Sequence, residues 1–498
     1  MFIVYSLIIP VLSFLLQTYP RFFNRHFGVD VWTRLLEADH IRKNNHRIPT
    51  EKLSDQFIIG GYFDYPPFFP WLLSFIPKQL LTDLQGVVSP FFDTLQVLLI
   101  FFVSYYLTQN LWLSVLAQVM YMLTPMIALE NSYLTPRSLG YLNLSLAILP
   151  LLMYHYNGQL VFFLVGLFFT TTLFLTHRFA LQSFFFFTLF SVFYFQSTEF
   201  IQALLIGFFA ALLITKGYYL RVLKGHLYNI YFWTQNLDFR FAHQVRGVMK
   251  KETKTDWVGQ VYSFLSVFSP IAVFGLDPWA LSAFVYAGAR YLHILPGQPL
   301  YDGLAAWVIF FYVLGVVVLK VKKLMPIGEG QRYMEMSTVP SSFLAAYLFF
   351  QLLSTSYSLA AQILLAVLLV GNFALILIVQ VKGVIQDRNR SITNDMTKVF
   401  DFINAQKKQM RIICVPHQNT TMTVYKTSAA VFVNADNEGL MNIQEVYPVL
   451  TKSLKELATK YKLTHALIKT GFTSLAELKL KSKQIVFESG DVLLVKLS

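Results

Sequence analysis

Apolar runs of a length that can cross a bilayer recur along the first 382 residues, and a spanning helix needs roughly 20 such residues. They predict spans at 2–17, 91–108, 111–129, 138–156, 159–176, 179–196, 199–216, 260–276, 301–320, 339–354 and 359–381. A weaker apolar stretch, 279–295, reads as a shorter or re-entrant twelfth segment. Three polar stretches break the rhythm: a long one at 18–90, a charged one at 217–259, and "KVKKLMPIGEGQRYMEMSTVP" at 320–340. After "VKGVIQDRNRS" the period changes. Residues 395–405 read as a helix, and 410–415, 429–433, 464–468, 484–488 and 491–496 as strands; 447–460 is helical in spacing, with Leu450, Leu454 and Leu457 on one side. The expected fold class is a mainly α-helical polytopic membrane protein with about 11 spans, followed by a small C-terminal α/β soluble domain. The expected division is a helical domain over 1–385, which includes the 18–90 loop with interfacial helices, and the α/β domain over 386–498.

Composition agrees. The 498 residues are 55% hydrophobic, 16% aromatic and 13% charged, about half the charge of a soluble domain. The first apolar run has no basic segment before it and no small-residue cleavage site after it, so it reads as a retained helix. One cysteine, Cys414, rules out an internal disulfide and a cysteine metal site; in "RIICVP" it reads as a small buried hydrophobe. The net charge of +13 sits in loops and tail and suits lipid phosphates.

Candidate chemistry begins in "GVDVWTRLLEADH", residues 28–40. Asp30 fits a helix N-cap or first turn, where exposed amides favour a carboxylate. Leu35, Ala38 and Ile41 then form an apolar stripe suited to a membrane interface, which leaves Glu37, Asp39 and His40 as a solvated face. Asp30 and Glu37 are seven residues and about 10 Å apart along a helix, too far to share one metal ion. Asp30 therefore acts alone or with a partner from another loop. In "GGYFDYPPFFPWLLSF" the prolines after Tyr65 stop a helix among interfacial aromatics. "ALENSYLTPRSLG" places Glu130 and Arg137 at span ends, and "LTHRF" does the same for His177 and Arg178. Counting alternate spans puts Asp30, Glu130, His177, Arg178, "GEGQRY" and the tail on one side. The basic residues Lys216, Arg221, Lys224, Lys250, Lys251, Lys254, Lys320, Lys322 and Lys323 fall on that side too, against the positive-inside rule if it is the outer one.

In order along the chain, "GVDVWTRLLEADHIRKNNHRIP", "YFDYPPFFPWLLS", "TPMIALENSYLTPRSLG", "FLTHRFALQ", "GEGQRYMEMSTVP" and the terminal α/β domain resemble the GT-C superfamily of integral-membrane glycosyltransferases. The resemblance implies a donor sugar on a polyprenyl phosphate, hexosyl or pentosyl transfer to a lipid, glycan or protein acceptor, and an active site and tail on the outer face of the cell membrane. It implies Asp30 as catalytic base or metal ligand, with Glu130 as second acidic group; a divalent cation, Mg or Mn, would sit on these two. Arg332, Tyr333, Arg137, His177, Arg178 and Tyr65 would bind substrate or phosphate. The chain lacks the Asp-Glu doublet of protein mannosylation and the Trp-Trp-Asp signature of oligosaccharyl transfer, which points to a prokaryotic member of unassigned acceptor. Nothing points to nucleic acid. The alternative is a transporter or flippase for a lipid-linked or anionic solute; such proteins bury ionisable groups at mid-membrane and show internal repeats, and neither is visible here.

Overall fold

The computed structural model describes residues 2–53, 56–131, 133–237, 274–388, 390–433, 438–448 and 450–497, without the side chains of Leu129 and Glu130. Contacts divide the chain into two units: 1–25, 84–217 and 254–386 form the first, and 26–83, 218–253 and 387–498 the second. Residues 26–83, from the first long loop, fall in the second unit together with 387–498.

The first unit is helical. Among the described residues, five helices are long and apolar enough to cross a membrane: Phe2–Phe23, Gln85–Thr108, Arg137–Asn157, Pro299–Lys320 and Ser358–Ile385. Shorter apolar helices, Leu111–Met122, Leu160–Thr176, Arg178–Tyr194 and Thr338–Leu353, match further expected spans, as does Glu199–Ile214. The expected span 260–276 lies almost wholly outside the described residues. The run 111–129 is not one helix: Thr124 is extended before Pro125, and a second helix, Pro125–Glu130, follows. A residue before proline is disfavoured in the α region, so the break is local chemistry. The stretch 279–295 forms helix Leu281–Tyr291, 11 residues and about 16 Å long, too short to cross.

Connections are tight. Asn110 accepts the Leu113 amide at 3.0 Å to start one helix, and Gly158, at φ +67°, ends another. Aromatic stacking fills the interior: Phe187 lies 5.8 Å from Phe311 and Phe190 4.6 Å from Phe310. Two interior carboxylates are met by neutral donors. Asp93 accepts from Gln17 at 2.5 Å and Tyr121 at 2.7 Å, and Asp277 from Tyr312 at 3.0 Å.

One close approach positions the charged end of this unit. Helix Pro299–Lys320 meets the short helix Gly330–Glu335 backbone to backbone. A Cβ on Gly330 would stand 2.3 Å from the Gly315 carbonyl oxygen, and one on Gly315 would stand 2.7 Å from that of Gly330. Only hydrogen fits on either side.

The second unit holds a six-stranded sheet in the order β1-β3-β2-β4-β6-β5. The strands are β1 Phe57–Ile59, β2 Arg411–Val415, β3 Ala430–Val433, β4 His465–Lys469, β5 Ile485–Ser489 and β6 Val492–Lys496. The first four in that order are parallel, and β6 and β5 complete the sheet antiparallel. β2 and β3 are buried almost throughout, as parallel strands covered on both faces must be. Five of the strands lie where alternation and β-branching predict them. β1 comes from the first long loop and pairs Phe57 with Val431 and Ile59 with Val433. Cys414 is buried on β2, and burial pushes its thiol up to about 12.

Helix Asp30–Lys43 overturns part of the expectation for the first loop. Its apolar stripe is covered by protein: Trp32, Ala38 and Ile41 are fully buried. Trp32 packs 5.7 Å from Tyr425, and Thr33 bonds Thr421 at 3.3 Å. Glu37 and Asp39 are not a solvated face, at 7% and 5% exposed. Both are paired with cations, Glu37 with Arg34 at 2.5 Å, and Asp39 with Arg42 at 2.9 Å, Lys43 at 3.2 Å and, from outside the helix, Lys78 at 3.4 Å. Burial pushes the Asp39 carboxyl up, and Lys78 and Lys43 outweigh it, holding it below its ordinary value. His40 is half-buried.

Two outcomes follow from this packing. Gly330→Ala will force the two backbones apart and lower stability by about 1–3 kcal/mol, read as a lower melting temperature of the purified protein. His417, just after β2, is held neutral: burial lowers its imidazole to about 4, and its Nε2 is buried without a partner among the described residues. The unfolded chain takes up that proton near pH 6.5, so it binds more protons than the folded chain between pH 6.5 and 4. Stability will fall by about 3 kcal/mol as pH drops through that window and will be unaffected above it. Protection of the β2 and β4 amides, corrected for intrinsic exchange, measures this; His417→Gln will flatten the dependence.

Candidate functional site

At one end of the helical unit, three chain breaks bring charged residues together. Arg137 opens helix Arg137–Asn157 directly after Pro136, a position that suits proline's fixed φ. One turn on, the Tyr141 hydroxyl donates to the Glu335 carboxylate. Glu335 ends the short helix that Gly330 docks, and it is 2% exposed. Both Arg137 and Arg332 act electrostatically on Glu335. Arg332, one turn before Glu335, is half-buried, with its Nε 2.8 Å from Glu329. Burial opposes the Arg332 charge, and Glu329 and Glu335 outweigh that and raise its pKa. Two guanidiniums are thus organised around one buried carboxylate, with Glu329 holding one of them from the other side.

His177 sits in the extended break between helices Leu160–Thr176 and Arg178–Tyr194. Its Nδ1 accepts the Ala180 amide at 3.3 Å, which caps the second helix and leaves Nε2 as the protonated nitrogen of the neutral ring. The ring lies 6.5 Å from Tyr141 and against Gly140, where a Cβ would come within 2.7 Å of the His177 Cβ. Arg178 follows, half-buried. Gly328, at φ +141°, brings the segment before Arg332 onto Phe179. Of the residues expected from the sequence, Arg137, His177, Arg178 and Arg332 therefore share this end. Tyr333 belongs to it differently: it is fully buried, its hydroxyl donates to the Ile327 carbonyl at 3.0 Å and accepts from Gln182, and its ring packs 4.6 Å from Phe179. Glu130 closes helix Pro125–Glu130, with its side chain outside the description.

Asp30 and Tyr65 belong to the second unit. Asp30 is the first residue of its helix and exposed, with no ion pair or hydrogen bond from its side chain among the described residues. Its neighbours Glu37 and Asp39 are buried and consumed by cations, so Asp30 is the carboxylate of that stretch open to a reactant. Tyr65 is buried, with the Arg34 guanidinium 3.6 Å from its ring centroid, where it supports the Arg34–Glu37 pair. Among the described residues no group of three or more His, Cys, Asp or Glu converges to hold a metal ion.

Glu329, Glu335 and Tyr141 escaped the sequence reading. A signal was present: "EGQRYME" places a carboxylate three residues to each side of Arg332, and "RSLGY" places Tyr141 four after Arg137, the spacings of neighbours on a helix.

The chain matches no protein-family model and no curated protein sequence. Solved structures are informative. The archaeal oligosaccharyltransferase AglB from Archaeoglobus fulgidus, in complex with an inhibitory peptide and a dolichol-phosphate, aligns over 94% of this chain and 69% of its own at 11% identity, with a TM-score of 0.63. ArnT from Cupriavidus metallidurans, bound to undecaprenyl phosphate, aligns over 100% of this chain and 97% of its own, again at 11% identity, with a TM-score of 0.57. The fold is that of the GT-C membrane glycosyltransferases. A further structure of the Archaeoglobus fulgidus enzyme, complexed with Zn and sulfate, aligns over 93% of this chain at 11% identity, with a TM-score of 0.58. The GT-C fold accounts for a multi-pass helical unit accompanied by a small strand-bearing region, as the hydrophobic pattern implies.

The Tyr141–Glu335 contact yields a coupled prediction. Tyr141→Phe and Glu335→Gln will each cost about 1–3 kcal/mol of stability. The double variant will cost less than their sum by on the order of 1 kcal/mol, because both remove one interaction; melting of the purified protein closes the cycle.

Proposed function

We propose that the chain is a glycosyltransferase that moves a sugar from a polyprenyl-phosphate donor to a lipid, glycan or protein acceptor at the outer face of the membrane. The observation that carries this reading is the pair Arg137 and Arg332, held around a buried carboxylate in a chain with the GT-C fold. The aligned structures were obtained with dolichol-phosphate and with undecaprenyl phosphate. As the bond from the sugar's anomeric carbon to the phosphate oxygen breaks, negative charge develops on the departing lipid phosphate. Guanidinium donors neutralise such charge with paired N–H bonds, and they do so best where they are already oriented. Glu329 and Glu335 hold the two arginines before the donor arrives. His177 offers a neutral N–H donor to phosphate or sugar, and Arg178 a further cation.

The new bond joins the anomeric carbon to an acceptor oxygen or nitrogen, which gives up a proton. Asp30 is the group we assign to receive it: an unpaired, exposed carboxylate is the form a general base needs. Glu130 is the second acidic candidate, as helper. No step is assigned to a divalent ion, since a hard cation wants several oxygen ligands and Asp30 brings one carboxylate. The C-terminal domain over 386–498 is assigned recognition or support.

Transfer of labelled sugar from a polyprenyl-phosphate donor to endogenous acceptors, in membranes carrying the wild-type chain, tests this reading. Asp30→Asn will lower transfer about 10²–10⁴-fold, and Arg332→Ala about 10²–10³-fold. Equal transfer by Asp30→Asn removes Asp30 from the mechanism. No transfer by the wild type from any such donor overturns the glycosyltransferase itself.

A further inference from the structure

The helical unit contains a second chemically equipped place, remote from the arginine cluster. Helix Arg178–Tyr194 begins at the cluster and ends at Tyr194, 17 residues and about 26 Å away. Tyr194 there lines a cavity of about 620 Å³, within the range of small-molecule sites. Its wall follows one face of helix Pro299–Lys320 from Ala305 through Ile309 to Val313, about 12 Å along the axis, and is completed by Phe190 and Phe310. The small side chains Ala305 and Ala306 leave the space open. That helix is one of those long and apolar enough to cross a membrane.

The rim is polar in a specific way. Arg290 and Asp302 both line the cavity and pair there, Nε to Oδ1 at 3.1 Å and Nη2 to Oδ2 at 3.4 Å. Arg290 Nη1 donates to the Leu295 carbonyl at 3.1 Å, and the Tyr286 hydroxyl to Asp302 at 3.0 Å. Three of the five guanidinium N–H groups are used, so two are left to donate. The carboxylate, about one-third exposed, has accepting capacity left as well. Tyr194 and Tyr291, 56% and 84% exposed, stand beside them as aromatic side chains do at a membrane–water interface. A cation and an anion side by side carry no net charge and so do not select a net anion; they complement a headgroup that itself carries one charge of each sign.

We propose that this cavity holds a zwitterionic phospholipid of the bilayer, one acyl chain lying along Ala305, Ile309 and Val313, the phosphate on Arg290 and the ammonium on Asp302. The site is separate from the donor site, and its occupant is a constituent of the membrane rather than a reactant.

Native mass spectrometry of the purified full chain, offered dioleoyl phosphatidylethanolamine, dioleoyl phosphatidylglycerol or undecaprenyl phosphate, tests it. The wild type will retain one phosphatidylethanolamine about fivefold more than phosphatidylglycerol. Asp302→Asn will abolish that preference. Ala306→Phe, which fills the slot, will cut phosphatidylethanolamine retention about fivefold; Val313→Trp, at an exposed wall position where folding is not at stake, will do the same. Equal retention of phosphatidylglycerol and phosphatidylethanolamine by the wild type overturns the proposal, and so does a loss of undecaprenyl phosphate retention in Val313→Trp, because binding of that lipid at the separate donor site is left intact by this variant. So does unchanged phosphatidylethanolamine retention by Val313→Trp.

Discussion

A contact in which two backbones touch with no side chain between them governs the charged end of the helical unit. Gly315 and Gly330 let helix Pro299–Lys320 and the short helix Gly330–Glu335 approach until each carbonyl oxygen occupies the place of the other residue's missing Cβ. Everything on the short helix is then set by its turn geometry: Arg332 in the middle, Glu335 at its end, Tyr333 turned inward against Phe179 and Gln182. A separation larger by one methyl group would move the Glu335 carboxylate away from Tyr141 and Arg137, which stand on another helix. Small residues at helix contacts inside membranes commonly allow such approach. Here the approach is what gathers ionisable groups from sequence positions nearly 200 residues apart, Tyr141 and Glu335.

The chain handles its carboxylates in three ways, and the differences separate architecture from chemistry. Asp93 and Asp277 meet tyrosine and amide donors inside the helical unit. Glu37 and Asp39 are buried in the second unit with arginines and lysines at their own helical spacing, where breaking either pair would strand a charge. Asp30, at the start of that same helix, has none of these arrangements. Its exposure is a property of helix position: the first residue of a buried helix faces outward past the end of the packing surface.

Much of the fold was legible because membrane helices and buried strands announce themselves by composition and period. The helices after Asn110, before Gly158 and around His177 end where polar and glycine residues say they should, and β2 through β6 fall on the apolar, β-branched runs. The break at Thr124 was legible too, had Pro125 been given its usual weight. What the sequence concealed was long-range. The stripe Leu35, Ala38 and Ile41 has one and the same pattern whether a lipid surface or the helix bearing Tyr425 covers it, so a membrane interface was a fair but mistaken reading. Local charge spacing, Arg34 with Glu37 and Asp39 with Arg42, was the sign that these groups could be buried. Of the site, the arginines and His177 stood out as charges at span ends. Glu335 did not, because a carboxylate beside an apolar span is indistinguishable in sequence from a solvated flank until its partners arrive from elsewhere.

β1 has a bearing on how the chain is built over time. It is made early, as residues 57–59, yet the neighbour that accepts it, β3, lies some 370 positions later, at 430–433. Among the described residues nothing else in the sheet borders β3 on that side. During synthesis the early strand therefore has no partner in this sheet until β3 has been made. An open edge is the feature by which sheets join the wrong partner. This edge of the sheet is therefore a joint product of a segment made near the beginning and one made near the end.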